Sequence, residues 1–327
     1  MKRRPLLLLA ASTAAAASPV AARAQQAAPR YPSRPVRVIV PFAAGGVIDV
    51  VARILADPLA QRLGQPVVVE NLPGAGSTIG ARTAARAAPD GYTLLLNGAA
   101  QSVIPALYPD AGFDAIADFT PVALLGDQSF LVCVHPDVPA NDVPSLLAWL
   151  RERRDQATFA TTGVGAASHL AGELLKRLAN VEFTIVPYRG TPAAVTDLLA
   201  GRVNFMIDSQ TLLAPLAREG KVRALAVTTA RRSRMLPDLP TLQEAGVPGY
   251  SASSWQALYG PAGLPAEIVE TLSRAVLQVL AEPAVQRRLE EVGVDPMPGD
   301  PAAAARHLRA ETEKWTPILR ATGARPG

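Results

Sequence analysis

Short β-branched runs that end in glycine loops and hand over to helices recur along this chain, and that grammar places it in the α/β class. Val36 to Val40 is the first run, closed by Pro41 and the Gly45–Gly46 pair, and Val47 to Leu63 follows with apolar residues near helical spacing. Pro58 predicts a kink or break in that helix. Pro66 to Glu70 reads as a second strand, leading through a loop from Asn71 to Ser77 into an alanine-rich helix over Thr78 to Ala88. Asp90–Gly91 then turns the chain into a third strand, Tyr92 to Leu96. Continuous apolar strands joined by helices predict a mainly parallel sheet covered on both faces.

The pattern restarts after Val134. Helices are predicted over Ser145–Arg154, Ser168–Ala179, Ala193–Ala200 and Leu212–Arg218, and strands over Thr158–Thr161, Phe183–Val186, Val203–Ile207 and Arg223–Val227. From Pro265 onward only helices are predicted, and helices without strands of their own need a sheet to lie against. The expected architecture is therefore two α/β lobes, with residues 31–132 and 255–327 forming the first and 133–254 inserted as the second. Two crossing segments, near Leu131–His135 and Trp255–Pro261, would leave a central cleft with a hinge, where ligands bind preferentially.

Charge narrows the function. The chain of 327 residues carries 32 Lys+Arg against 28 Asp+Glu, but Lys2, Arg3, Arg4 and Arg23 fall in the first 24 residues, which hold no acid. Those residues have a cationic start, an apolar run from Leu6 to Ala17 and a small-residue end at Ala22 and Ala24, the layout of a cleavable export signal. Without them the chain is formally neutral, which argues against nucleic acid as a partner, because phosphate neutralisation supplies most of that affinity. The reading is an exported, soluble, monomeric periplasmic protein, by a general or a twin-arginine route. Cys133, the one cysteine, is expected in a buried strand, and three histidines give little material for a zinc site or a His-activated nucleophile. No cofactor, metal or catalytic residue is expected.

Three loops share one design, in which a strand ends, glycines turn the backbone and a helix begins. They are Phe42, Ala43, Ala44, Gly45 and Gly46; Pro73 to Ser77; and Thr161, Thr162, Gly163, Val164 and Gly165 with Ser168 and His169. Free N–H groups and the helix dipole make each a seat for an anion. Nucleotide fingerprints and a Gly-x-Ser-x-Gly elbow are missing. Asp49 lies in a first helical turn, where the dipole favours a carboxylate or where it could meet ligand. Asp208 either caps a helix or bonds ligand, and Arg189 with Gly190 sits at a strand end that would face the crevice. His169 and Glu173 are spaced for a metal but have no further ligands in sequence.

Taken together, several stretches resemble the Bug family, the extracytoplasmic solute receptors of tripartite tricarboxylate transporters. They include Pro41-Phe-Ala-Ala-Gly-Gly-Val-Ile-Asp49, Pro66-Val-Val-Val-Glu-Asn71 with Pro73-Gly-Ala-Gly76, Ser168-His-Leu-Ala-Gly-Glu173, Val186-Pro-Tyr-Arg-Gly190, Met206-Ile-Asp208 and Lys314-Trp315. The resemblance covers about Tyr31 to Gly323 and implies a type II periplasmic binding protein fold that closes on a small carboxylate and delivers it to a membrane permease. It implies carboxylate contacts at the Pro41–Asp49 loop and before Ser168–His169; Ile48, Ser77 and Asn97 complete the expected ligand-binding set.

The chain departs from the family at Ile48, where Thr or Ser is usual, and at Val164, Ala166 and Ala167, where polar residues are common. Each change removes a hydrogen-bonding group and adds apolar surface worth about 25 cal/mol per Å² if covered. The expected ligand thus joins a carboxylate to an apolar or aromatic body. A bulky residue at Gly46 or Gly163 is expected to abolish binding with the fold intact. A receptor presenting ligand to a membrane signalling protein, and an exported enzyme on the same scaffold, are the alternatives.

Overall fold

The computed structural model describes residues 31–163, 166–188 and 191–322. In the first lobe, β1 (Val36–Val40) leads to α1 (Val47–Leu63), β2 (Val67–Asn71), α2 (Thr78–Ala85), β3 (Thr93–Gly98) and α3 (Ala99–Leu107). β1 pairs in parallel with β2 and β3, placing Val38 beside Val69 and Leu94. Pro58 sits inside α1 without dividing it. The helix lies against the sheet, so burial of Val51, Ile54, Leu55 and Leu59 offsets the lost hydrogen bond.

The chain then enters β4 (Phe119–Val134), which serves both lobes. The second lobe follows as α4 (Val143–Arg153), β5 (Thr158–Thr161), α5 (Ala167–Ala179), β6 (Thr184–Pro187), α6 (Thr191–Leu199), β7 (Phe205–Ser209), α7 (Gln210–Arg218) and β8 (Arg223–Val227). The return is β9 (Ser253–Pro261), α8 (Ala266–Leu280), α9 (Pro283–Glu291), β10 (Asp295–Gly299) and α10 (Pro301–Thr322).

The strand order is β2-β1-β3-β9-β4-β7-β5-β6, with β8 and β10 also on β4. Every pairing of β4 is antiparallel, as is β3 with β9, so the sheet is mixed rather than mainly parallel. β4 changes partner abruptly. Ser129 is its last residue opposite β9, at Ser253, and Phe130 is its first opposite β7, at Ser209. The change of partner thus falls at Ser129–Phe130 on β4, opposite the start of β9 at Ser253, just ahead of the two segments expected to cross, and the β4–β9 ladder reaches it after register shifts at Pro121/Ala123 and Leu124/Gly126.

Residues 295–299 correct the expectation of an all-helical C-terminal region. Asp-Pro-Met-Pro-Gly has neither alternation nor strong β propensity, yet it pairs with β4 between Leu124 and Asp127. Prolines are tolerated there because the strand has only one partner. α10 also crosses a boundary. Ala304 and Leu308 pack in the first lobe's core with Trp255 and Tyr259, whereas Trp315, Ile318 and Leu319 pack in the second lobe's core with Leu170 and Leu174. Cys133 is fully buried and unpaired on β4, where burial pushes its thiol pKa up.

Candidate functional site

Between the lobes lies a cavity of about 450 Å³, within the size range of small-molecule sites. The first lobe contributes Phe42, Gly46, Val47, Ile48 and Gly76, the start of α3, and Tyr108; the second contributes Ala166, Ala167 and Leu170. Phe130 and Ala252–Ser254 form the hinge wall, and Trp315 of α10 completes the enclosure. Among the described residues lining it, none is Lys, Arg, His, Asp or Glu.

Three helices begin at this cavity. α1 starts after Gly46, α3 after Gly98 and α5 after Ala166, and none of the three has a side-chain cap. Gly46–Ile48, Ala99–Ala100 and Ala166–Ala167 all line it. Backbone N–H groups left open by the first turn, and the positive ends of three helix dipoles, therefore supply the polarity that the side chains lack. The third helix differs from the expectation: α3 takes the place given to α2, whose preceding loop reaches the cavity only through Gly76.

The acidic side chain of the first loop faces inward. Asp49 is 2% exposed; its carboxylate accepts from the Gly45 N–H at 2.8 Å, from Asn71 Nδ2 at 2.9 Å and from Arg53 Nε at 3.0 Å. Asn71 Nδ2 also donates to the Phe42 carbonyl. Burial works against the charged form, but these hydrogen bonds outweigh it and hold Asp49 below the usual carboxylate range. Asp49 thus fixes the loop whose outer edge, at Phe42 and Gly46, meets the cavity. Ala43, Ala44 and Gly45 are exposed and Asp49 is buried; none of the four lines it.

In the second loop, Gly74, Ala75, Gly76 and Ser77 all have positive φ. Gly76 is required twice over, by its φ of 58° and because a Cβ there would meet the Tyr108 hydroxyl at 2.1 Å. Ser77 is buried, and its Oγ finds no partner. In the third loop, Ser168 Oγ lies 2.9 Å from both Thr161 Oγ1 and Thr162 Oγ1 and accepts from the Thr162 N–H, tying the end of β5 to α5. His169 is buried with Nε2 3.7 Å from Glu173 Oε1. Burial depresses its pKa against the opposing pull of Glu173, so the ring is neutral near pH 7. No group of three or more metal-ligating side chains occurs among the described residues.

Of the other expected residues, Asn97 is fully buried, donating to Gln101 Oε1 at 2.8 Å and accepting from the Gly98 N–H. It shapes the turn that starts α3. Asp208 is the penultimate residue of β7; its Oδ1 accepts from the Ser209 N–H, Oδ2 is buried without a partner, and burial raises the carboxyl pKa. Thr162, Gly163, Ser168, His169, Ser77, Asn97 and Asp208 do not line the cavity, while Phe42, Gly46 and Ile48 do. Val164, Arg189 and Gly190 lie outside the described residues.

Sequence reasoning missed the α3 wall, Val103, Leu107 and Tyr108, together with Phe130, Leu170, the hinge serines and Trp315. The apolar residues Val103, Ile104 and Leu107 carried a helical signal, but Trp315 is distant in sequence from the other residues that line the cavity.

The family profile for the tripartite tricarboxylate transporter family receptor matches residues 51–324. The chain is similar to the periplasmic binding protein BugD, at 37% identity and TM-score 0.70, over 90% of this chain and 100% of that one. It is similar to Rpa4515 of R. palustris, solved with adipate, at 36% identity and TM-score 0.73, over 90% and 99% of the two chains. A TctC solute binding protein from Polaromonas, solved with no ligand, is 27% identical with TM-score 0.81, over 89% and 99%. These are solute-binding proteins. Among the described residues, no helix is long and apolar enough to cross a membrane.

Proposed function

Because the chain belongs to the tripartite tricarboxylate transporter receptor family, we propose that it is a periplasmic receptor that captures a small carboxylate with an apolar body and passes it to a permease of that transporter type. The observation that carries this reading is the convergence of three uncapped helix N-termini on an otherwise apolar cavity. One carboxylate is held by main-chain N–H groups, and the rest of the ligand covers apolar wall. The adipate bound by Rpa4515 supports the carboxylate class.

Residues 1–24 are the cleaved export signal in this reading, and the receptor works as a monomer. Residues 31–132 and 255–327 form one lobe and 133–254 the other, with α10 serving both. The lobes close about Ser129–Phe130 and Ala252–Ser253.

Mass spectrometry of small molecules that copurify with the protein, backed by a thermal-shift panel of carboxylates, tests the assignment. A carboxylate carrying an alkyl or aryl body is expected to give the largest shift. Stabilisation by citrate well above any monocarboxylate would refute the apolar-body reading, and no shift with any carboxylate would refute the receptor reading itself.

A further inference from the structure

One hydrogen-bond donor in the cleft wall is already spent on an acid behind it. The Trp315 indole N–H donates to Glu311 Oε2 at 2.8 Å, and Lys314 pairs with the other oxygen of the same carboxylate. Lys314 also donates to the Ser251 carbonyl at 2.9 Å, so the one ammonium nearby is engaged by the crossing segment and by Glu311. Around this spent donor the wall is carbon: Val103 and Leu107 of α3 and Leu170 of α5.

We propose that this rear wall makes the receptor selective for monocarboxylates, with Trp315 as the specificity-determining residue and Glu311 as the positioning residue that keeps its donor turned away. The inference rests on the carboxylate-receptor reading and goes beyond it. A ligand anchored by one carboxylate at the helix N-termini brings its far end to this wall. A second carboxylate there would lose its water and meet a surface whose indole N–H already serves another carboxylate. Tyr108, Ser253 and Ser254 offer hydroxyls, and none of them carries a cation. A methyl group or ring edge meets no such cost and gains contact with carbon.

Matched ligands test this by isothermal titration of the whole purified protein. Hexanoate and adipate share a carbon chain and differ only in the terminal carboxylate; benzoate and terephthalate do the same for a ring. The monocarboxylate of at least one pair is expected to bind about tenfold or more tightly than its partner. In Glu311→Leu, which frees the indole N–H, that ratio is expected to shrink, while Glu311→Gln keeps an acceptor and preserves it. Val103→Lys, on a different helix, is expected to shift the ratio towards the dicarboxylate. Binding of the dicarboxylates as tightly as the monocarboxylates would overturn this inference and leave the carboxylate receptor standing. A ratio unmoved in both Glu311→Leu and Val103→Lys would also overturn it. Failure of all four compounds to bind would overturn the inference together with the carboxylate reading beneath it.

Discussion

Trp315 and Glu311 stand one helical turn apart on α10, and the 2.8 Å bond from the indole Nε1 to the carboxylate fixes the ring before any ligand arrives. The cleft wall is therefore preorganised by its own helix, which reduces the ordering cost of binding.

Gly46 and Gly163 respond differently to substitution. At Gly46 a Cβ would find only the Ala43 carbonyl, at 3.5 Å, and φ is −71°, so Gly46→Val should fold with stability within about 0.5 kcal/mol of wild type while ligand binding is lost. Gly163 has φ of 146°, so a side chain there strains the backbone and costs about 1–3 kcal/mol, contrary to the expectation of an intact fold at both positions. Urea denaturation alongside ligand titration separates the two effects.

Gly76→Ala drives a methyl group into the Tyr108 hydroxyl and imposes a φ that alanine disfavours. A loss of about 1–3 kcal/mol is expected. Adding Tyr108→Ala should recover the steric part of that loss, measured as the midpoint of chemical unfolding.

Asp49→Ala removes the acceptor shared by Gly45, Asn71 and Arg53. The expected cost is about 1–3 kcal/mol, with weaker ligand binding through a loosened loop. Because the native pKa is lowered, the stabilisation is complete above the unfolded-state value and is lost as pH falls through the native one. The Asp49→Ala defect should therefore shrink in strongly acidic solution, which acid titration followed by circular dichroism would record.

Asp127 runs the opposite way. Burial pushes its carboxyl pKa up to about 6, against the Ser253 hydrogen bond; Glu311 and Asp295 add to the rise and Lys314 opposes it. Asp295 in turn lies beside Arg234 and Glu290, and Glu311 beside His307. The native state holds the Asp127 proton more tightly than the unfolded chain, so stability falls as pH rises from the unfolded value towards 6. Asp127→Asn should gain up to about 3 kcal/mol at pH 8 relative to its effect at pH 4. Equal stability differences at the two pH values would show that Asp127 does not titrate in this range.

The alternating strands and helices of both lobes were legible because each is a local pattern: β1 and α1 emerge from spacing and punctuation alone. Gly46 and Ile48 were legible as cleft residues for the same reason, since a loop followed by a helix start presents N–H groups wherever it sits. Asp49 and Asn97 misled in a consistent manner. Their polarity suggested ligand contact, but Gly45, Asn71, Gln101 and Gly98 satisfy them locally. β10 carries no local signal, because its pairing is supplied by β4, far away in sequence. Trp315 and Val103 meet only after the whole chain is assembled, and no spacing rule connects them.

The last helix is anchored in two cores, through Ala304 and Leu308 in one and Trp315, Ile318 and Leu319 in the other. A chain made from its N-terminus can pair most of its strands before α10 exists, yet until that helix docks one side of the pocket is open to water and each core lacks part of its cover. Completion of the cavity wall at Trp315 is therefore tied to the same docking event that completes both cores.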